Sequence, residues 1–145
     1  MDEPACYYWD ASVLLSFLVG DTHTPTARAF AEYPGLHVIS SLAYAETAAV
    51  LGRMAAKGMV EHEAVAALLD SLEEGTWRHT PSTPSRLVLR DLGAFSGLRG
   101  ADLWHAGLVL TLSREYGEFA LLSFDRRLCD AAQAAGVVVH GPDGD

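Results

Sequence analysis

The chain has 145 residues and a formal net charge of −9, with 10 Lys and Arg against 19 Asp and Glu. Its 50% hydrophobic and 20% charged content excludes a disordered or low-complexity chain and suits one domain with a sizeable core. No apolar run reaches the roughly 18 residues of a membrane span, and the acidic start Met1-Asp2-Glu3-Pro4 is unlike the basic opening of a signal peptide, so a cytoplasmic protein is expected.

In chain order, residues 6–9 are a short aromatic run that suits a buried strand. Residues 12–19 and 24–33 read as helices, the second with Pro25 in its first turn. Pro34-Gly35 breaks it, and residues 36–40 make a second strand. Residues 41–57 are a long helix ending before Gly58. Residues 61–73 are another, with Val65, Leu68, Leu69 and Leu72 on one face and Gly75 as its stop. A short edge strand is expected at 77–79, then a helix capped by Thr83, with Pro84 first, reaching Ser96. Residues 102–116 are helical up to Gly117, 120–124 a strand, 125–135 a helix and 137–140 a last strand. The tail 141–145 is expected to fray.

Strands alternating with helices predict an α/β fold: a three-layer α/β/α sandwich around a five-stranded parallel sheet, in one domain over 1–145 with its core at about 6–140. Ligands of such sheets sit outside the carboxyl ends of the strands, where the strand order switches direction. Asp10, in Trp9-Asp10-Ala11-Ser12, follows the first strand, and Asp125, in Ser123-Phe124-Asp125, follows the fourth. Each also suits a helix N-cap, and Ser12 and Ser123 suit capping or turn hydroxyls. Glu46 lies between Leu42 and Val50 on a helix face with no Lys or Arg before Arg53. A carboxylate buried there calls for a partner or a metal, and a solvent-facing glutamate is the alternative, since periodicity does not fix the facing. Asp102 opens a helix, where an acid favours the dipole, and His105 three residues on shares its face. Taken alone, His105 reads as a packed or hydrogen-bonded structural histidine.

Four carboxylates in one cleft would repel, raising some of their pKa values, and a divalent cation relieves that repulsion. All-oxygen ligands suit Mg²⁺ or Mn²⁺ rather than Zn²⁺. Excess negative charge argues against non-specific nucleic-acid binding, but a bound cation lets an acidic protein act on a polyanion. Cys6 and Cys129 have no C-x-x-C spacing and read as buried reduced thiols rather than a disulfide or a zinc site.

The stretches Y-W-D-A-S-V-L-L, S-L-A-Y-A-E-T, L-R-G-A-D-L-W-H-A and L-L-S-F-D-R-R-L resemble the PIN domain, in particular the VapC-type toxins of toxin–antitoxin pairs. The resemblance runs from about Cys6 to His140. It implies a sheet of order 3-2-1-4-5 and a Mg²⁺- or Mn²⁺-dependent endoribonuclease that hydrolyses RNA with a metal-activated water. It also implies a homodimer and a cognate VapB-like antitoxin. On this resemblance Asp10, Glu46, Asp102 and Asp125 hold the metal, directly or through water, and Ser12 and Ser123 orient carboxylates or water. Trp9 and Trp104 flank the acids. Arg99, Arg126 and Arg127 are candidates for RNA phosphates or else solvated helix ends, and Lys57 is the single lysine.

Other classes fit less well. A signalling receiver needs a lysine after a late strand, whereas Lys57 ends the third helix. An Asp-nucleophile phosphatase wants a second acid where Ser12 stands. No G-x-S-x-G elbow supports covalent catalysis. A non-toxin PIN-fold nuclease of RNA processing, or a PIN-like binding module without cleavage, stays open as an alternative.

Overall fold

Five short strands and seven helices alternate through the computed structural model, which describes residues 5–142. The acidic start at 1–4 and the last three tail positions lie outside the described residues. In chain order the elements are β1 (Cys6–Trp9), α1 (Ala11–Leu18), α2 (Thr24–Ala31), β2 (Leu36–Ser40), α3 (Ser41–Ala56) and α4 (His62–Glu74). There follow β3 (Arg78–Thr80), α5 (Arg86–Ser96), α6 (Gly100–Tyr116), β4 (Phe119–Leu122), α7 (Arg126–Ala134) and β5 (Val138–His140). All strand pairs are parallel and the order is β3-β2-β1-β4-β5. The order reverses direction between β1 and β4, so the switch point falls at their carboxyl ends.

Period-two alternation sorts the strand residues between two cores. Tyr8, Val38, Leu121 and Val139 face α6 and α7, where Ala106, Leu108, Val109, Leu112, Leu128 and Ala132 are buried. Trp9, Ile39 and Leu122 face the other way, onto Val13, Leu14, Ala27, Phe30, Ala43 and Leu72 of α1–α4. Both faces are covered, which is why the strands read as continuous apolar runs rather than alternating ones. Fully burying one such side chain is worth about 1.5–3 kcal/mol.

Two local features keep the strands in place. At the mouth of β2, Gly35 has φ 143°, and an added Cβ would lie 2.2 Å from the carbonyl oxygen of Ala5, so only glycine lets the chain approach β1 there. After β2, the Ser40 hydroxyl accepts from the Ala43 N–H at 3.1 Å and starts α3 without a connecting loop.

One expected boundary is corrected. The cap of α5 is Ser85, not Thr83, and Pro84 precedes the helix. A tertiary bond decides it: the Ser85 N–H donates to Thr111 Oγ1 of α6 at 2.9 Å. The strand expected at 77–79 sits one residue later, at the sheet edge, and Trp77 is buried against Trp9. Among the described residues no helix is long and apolar enough to cross a membrane.

Candidate metal centre and active site

Asp10 follows β1 and caps α1, so its backbone is fixed from both sides. Its N–H donates to the Leu122 carbonyl at 3.0 Å, tying it to β4. Its side chain is buried and fully engaged. Oδ1 accepts from the Ala11 N–H at 2.8 Å, and Oδ2 accepts from the Ser12 and Ser123 hydroxyls, each at 2.8 Å. Three donors on one carboxyl hold its plane. The two serines are themselves anchored: Ser12 Oγ accepts from the Phe124 N–H at 3.0 Å, and Ser123 Oγ accepts from the Asp125 N–H at 3.1 Å. The β1 end and the β4–α7 turn are thereby joined through the Asp10 carboxylate.

Asp125 caps α7, its Oδ1 accepting from the Arg127 and Leu128 N–H groups at 3.0 and 3.2 Å. Among the described residues no donor meets its other oxygen. The capping reading and the site reading of Asp10 and Asp125 are thus compatible: one oxygen or both serve the helix, and the charge stays at the switch point.

Glu46 lies on α3 and is half-buried. Its Oε1 accepts a hydrogen bond from His105 Nε2 of α6. The same nitrogen lies 3.8 Å from Asp10 Oδ1. One ligating atom each of Asp10, Glu46 and His105 falls within 4.8 Å of the others. Asp102, in the first turn of α6, is partly buried. Its carboxyl is raised from its ordinary value, first by burial, then by the negative charges of Asp125 and Asp10, with His105 opposing and Glu46 adding a smaller contribution. The other three acids therefore act on Asp102 electrostatically, and a cation among them would offset that charge.

His105 is the residue whose part sequence reasoning did not resolve. It is fully buried, and its ring bonds Tyr8 through Nδ1 as well as Glu46 through Nε2. The i, i+3 spacing from Asp102 was the signal that placed it near the acids. Tyr8 gave a weaker signal, a buried phenol that must find a hydrogen-bond partner. Trp9 and Trp104 separate. Trp9 turns to the opposite core and donates from its indole to His37 Nδ1 at 2.9 Å. Trp104 packs edge-on against the His105 ring, with centroids 5.8 Å apart.

Arg99 is the N-cap residue of α6, and Arg126 and Arg127 open α7; all three are exposed. Positive charge at a helix N-terminus opposes the helix dipole, so helix stability does not account for these arginines. Behind the site, burial pushes the Cys129 thiol up to about 11, which leaves it protonated and unreactive near neutrality.

The fold recurs in solved structures. The crystal structure of PAE2754 from Pyrobaculum aerophilum matches with TM-score 0.66 and 20% identity, over 93% of this chain and 89% of that one. VapBC-1 from nontypeable Haemophilus influenzae matches with TM-score 0.62 and 15% identity, over 95% and 98%. VapC20 from Mycobacterium tuberculosis, a sarcin-ricin loop cleaving toxin, matches with TM-score 0.60 and 19% identity, over 91% and 96%. The chain thus has the PIN-like α/β/α fold of VapC structures. No family model and no curated protein sequence matches it.

Proposed function

We propose that the protein is a Mg²⁺- or Mn²⁺-dependent endoribonuclease toxin that hydrolyses RNA phosphodiester bonds in the cytoplasm as a homodimer and is neutralised by a VapB-like antitoxin. The observation that carries this reading is geometric: a carboxylate oxygen each of Asp10 and Glu46 lies within 4.8 Å of the other at the switch point, and burial, then the charges of Asp125 and Asp10, raise the neighbouring Asp102 carboxyl. Acids gathered at a switch point support a cation site, because a bound cation offsets their negative charge. The donor chemistry fits a hard ion. Asp10 and Glu46 supply carboxylate oxygens within 4.8 Å of one another, and Asp102 and Asp125 complete the negative charge.

Asp10, Glu46, Asp102 and Asp125 would hold the ion, directly or through water. Bound there, it would supply charge neutralisation, water activation and stabilisation of the leaving oxygen. The remaining work falls to the chain. Ser12 and Ser123 hold the Asp10 carboxylate in one orientation. Arg99, Arg126 and Arg127 would meet RNA phosphates at the helix starts, where their charge otherwise costs stability. VapC20 and VapBC-1 support the toxin reading as neighbours in fold, the first cleaving the sarcin-ricin loop.

The test is cleavage of RNA by purified protein with Mn²⁺, with and without EDTA, alongside Asp10→Asn. Cleavage that stops with EDTA and is lost in Asp10→Asn, at unchanged circular dichroism, is the expected result. Cleavage that persists in EDTA and in Asp10→Asn would mean a contaminant and end the proposal.

A further inference from the structure

Behind Glu46 lies a line of buried polar groups that metal binding as described does not use. Tyr8, Ser40 and His105 each have no exposed surface. The Tyr8 hydroxyl is 2.7 Å from Ser40 Oγ and 2.6 Å from His105 Nδ1. Ser40 Oγ also accepts from the Ala43 N–H at 3.1 Å, and His105 Nε2 meets Glu46 Oε1. The three side chains come from β1, β2 and α6, and the line begins and ends on α3.

Counting donors fixes the direction of every bond. A buried hydroxyl hydrogen needs an acceptor. Among the described residues, the Ser40 hydrogen meets one, the Tyr8 oxygen. The Tyr8 hydrogen then goes to His105 Nδ1, which must carry a lone pair. The single ring proton is therefore on Nε2, where it is donated to Glu46. In the opposite arrangement, Nε2 is bare and free to bind a cation. The Nδ1 proton would then point at Tyr8, the Tyr8 proton would turn to Ser40, and the Ser40 proton would have no acceptor among the described residues.

We propose that Ser40, Tyr8 and His105 form a proton-ordered chain that positions the Glu46 carboxylate, with His105 acting as a positioning residue and not as a metal ligand. The proposal rests on the metal-dependent reading above and says how this chain prepares its own site. Glu46 is a flexible side chain, half-open to solvent, and without a fixed donor it would lose rotamer freedom on each binding event. Holding Oε1 through His105 leaves Oε2 for the ion, and the N-cap of α3 sets the proton order of the whole line.

The first test needs no activity. ¹⁵N spectra of the full chain without metal should show the His105 proton on Nε2 and a bare Nδ1. A proton on Nδ1, or on both nitrogens, overturns the proposal. The second test is Mn²⁺ binding by calorimetry in folded variants. Tyr8→Phe should weaken binding by about 10–100-fold, the usual effect of losing a group that orients a ligand. His105→Leu should weaken it similarly, and His105→Gln, which keeps an N–H donor, should recover part of the loss. Unchanged binding in Tyr8→Phe, or equal loss in the Gln and Leu variants, rejects the positioning role. Should these variants fail to fold, the wild-type spectrum decides alone. Wild-type protein that binds Mn²⁺ with this tautomer yet cleaves no RNA would retire the nuclease reading and leave the ordered chain standing.

Discussion

Asp10 and Ser123 stand 113 positions apart in the chain, and the Ser123 hydroxyl donates to Asp10 Oδ2 at 2.8 Å. Ser123 is fully buried and its oxygen also accepts from the Asp125 N–H, so one hydroxyl connects two of the candidate acids. Ser123→Ala leaves a buried carboxylate oxygen with one donor fewer. The expected loss is about 1–3 kcal/mol, read as a fall of several degrees in melting temperature. RNA cleavage should fall by about 10–100-fold, because Asp10 is less firmly oriented. Ser123→Thr keeps the hydroxyl and should retain more of both.

Metal binding should stabilise the fold, since the acids meet only in the folded chain. Ligand at about 100 times its dissociation constant adds about 2.7 kcal/mol. Melting of wild-type protein with increasing Mg²⁺ or Mn²⁺ should therefore shift upward, and Asp10→Asn should flatten the shift. A wild-type melting temperature indifferent to saturating metal would count against the cation site.

The first two strands were legible because local signals bound them: Asp10 closes the aromatic run of β1 and Pro34-Gly35 precedes β2, so both fall on the expected residues, and Asp10 and Asp125 follow neighbouring strands. The α5 cap was not legible. Thr83-Pro84 has the right local chemistry, but Thr111 of α6 supplies the bond that selects Ser85. Gly107 lets α6 come close enough for this, since a Cβ there would lie 2.7 Å from Leu89 Cδ2 and 3.2 Å from Pro84 Cβ. The Ser40–Tyr8–His105 line was hidden for the same reason. Its bonds span 32 and 97 positions, one between neighbouring parallel strands and one from β1 to α6, and no local pattern encodes either. Trp9 shows the limit of adjacency: it precedes Asp10 in sequence yet belongs to the opposite core.

Asp102 makes a prediction about pH. Its pKa in the folded chain is raised by burial and by Asp125 and Asp10. A carboxyl raised on folding favours the folded state below the ordinary value of about 4, and that advantage is lost as pH rises through the folded value. At pH 7 the ionised group thus weakens the metal-free fold. Asp102→Asn should melt higher than wild type at pH 7 without metal, and the gap should close as the solution is acidified below about pH 4. Saturating Mg²⁺ should narrow the gap at pH 7, because the cation favours the carboxylate that Asn lacks. A variant that melts lower than wild type at neutral pH in EDTA would contradict the electrostatic account.

Asp125 allows the helix cap and the site charge to be separated in one side chain. Its Oδ1 accepts from the Arg127 and Leu128 N–H groups, which starts α7. Asn caps a helix about as well as Asp, whereas Ala forfeits about 1 kcal/mol. Asp125→Asn should therefore melt within a few degrees of wild type while its RNA cleavage falls by more than the roughly 100-fold expected for a merely orienting group. Asp125→Ala should lose both cap and cleavage. The pair of variants distinguishes the two roles because only the charge differs between Asp and Asn at this position. Cleavage retained in Asp125→Asn with weakened melting in Asp125→Ala would assign the residue to the helix alone and leave Asp10, Glu46 and Asp102 as the acids of the site.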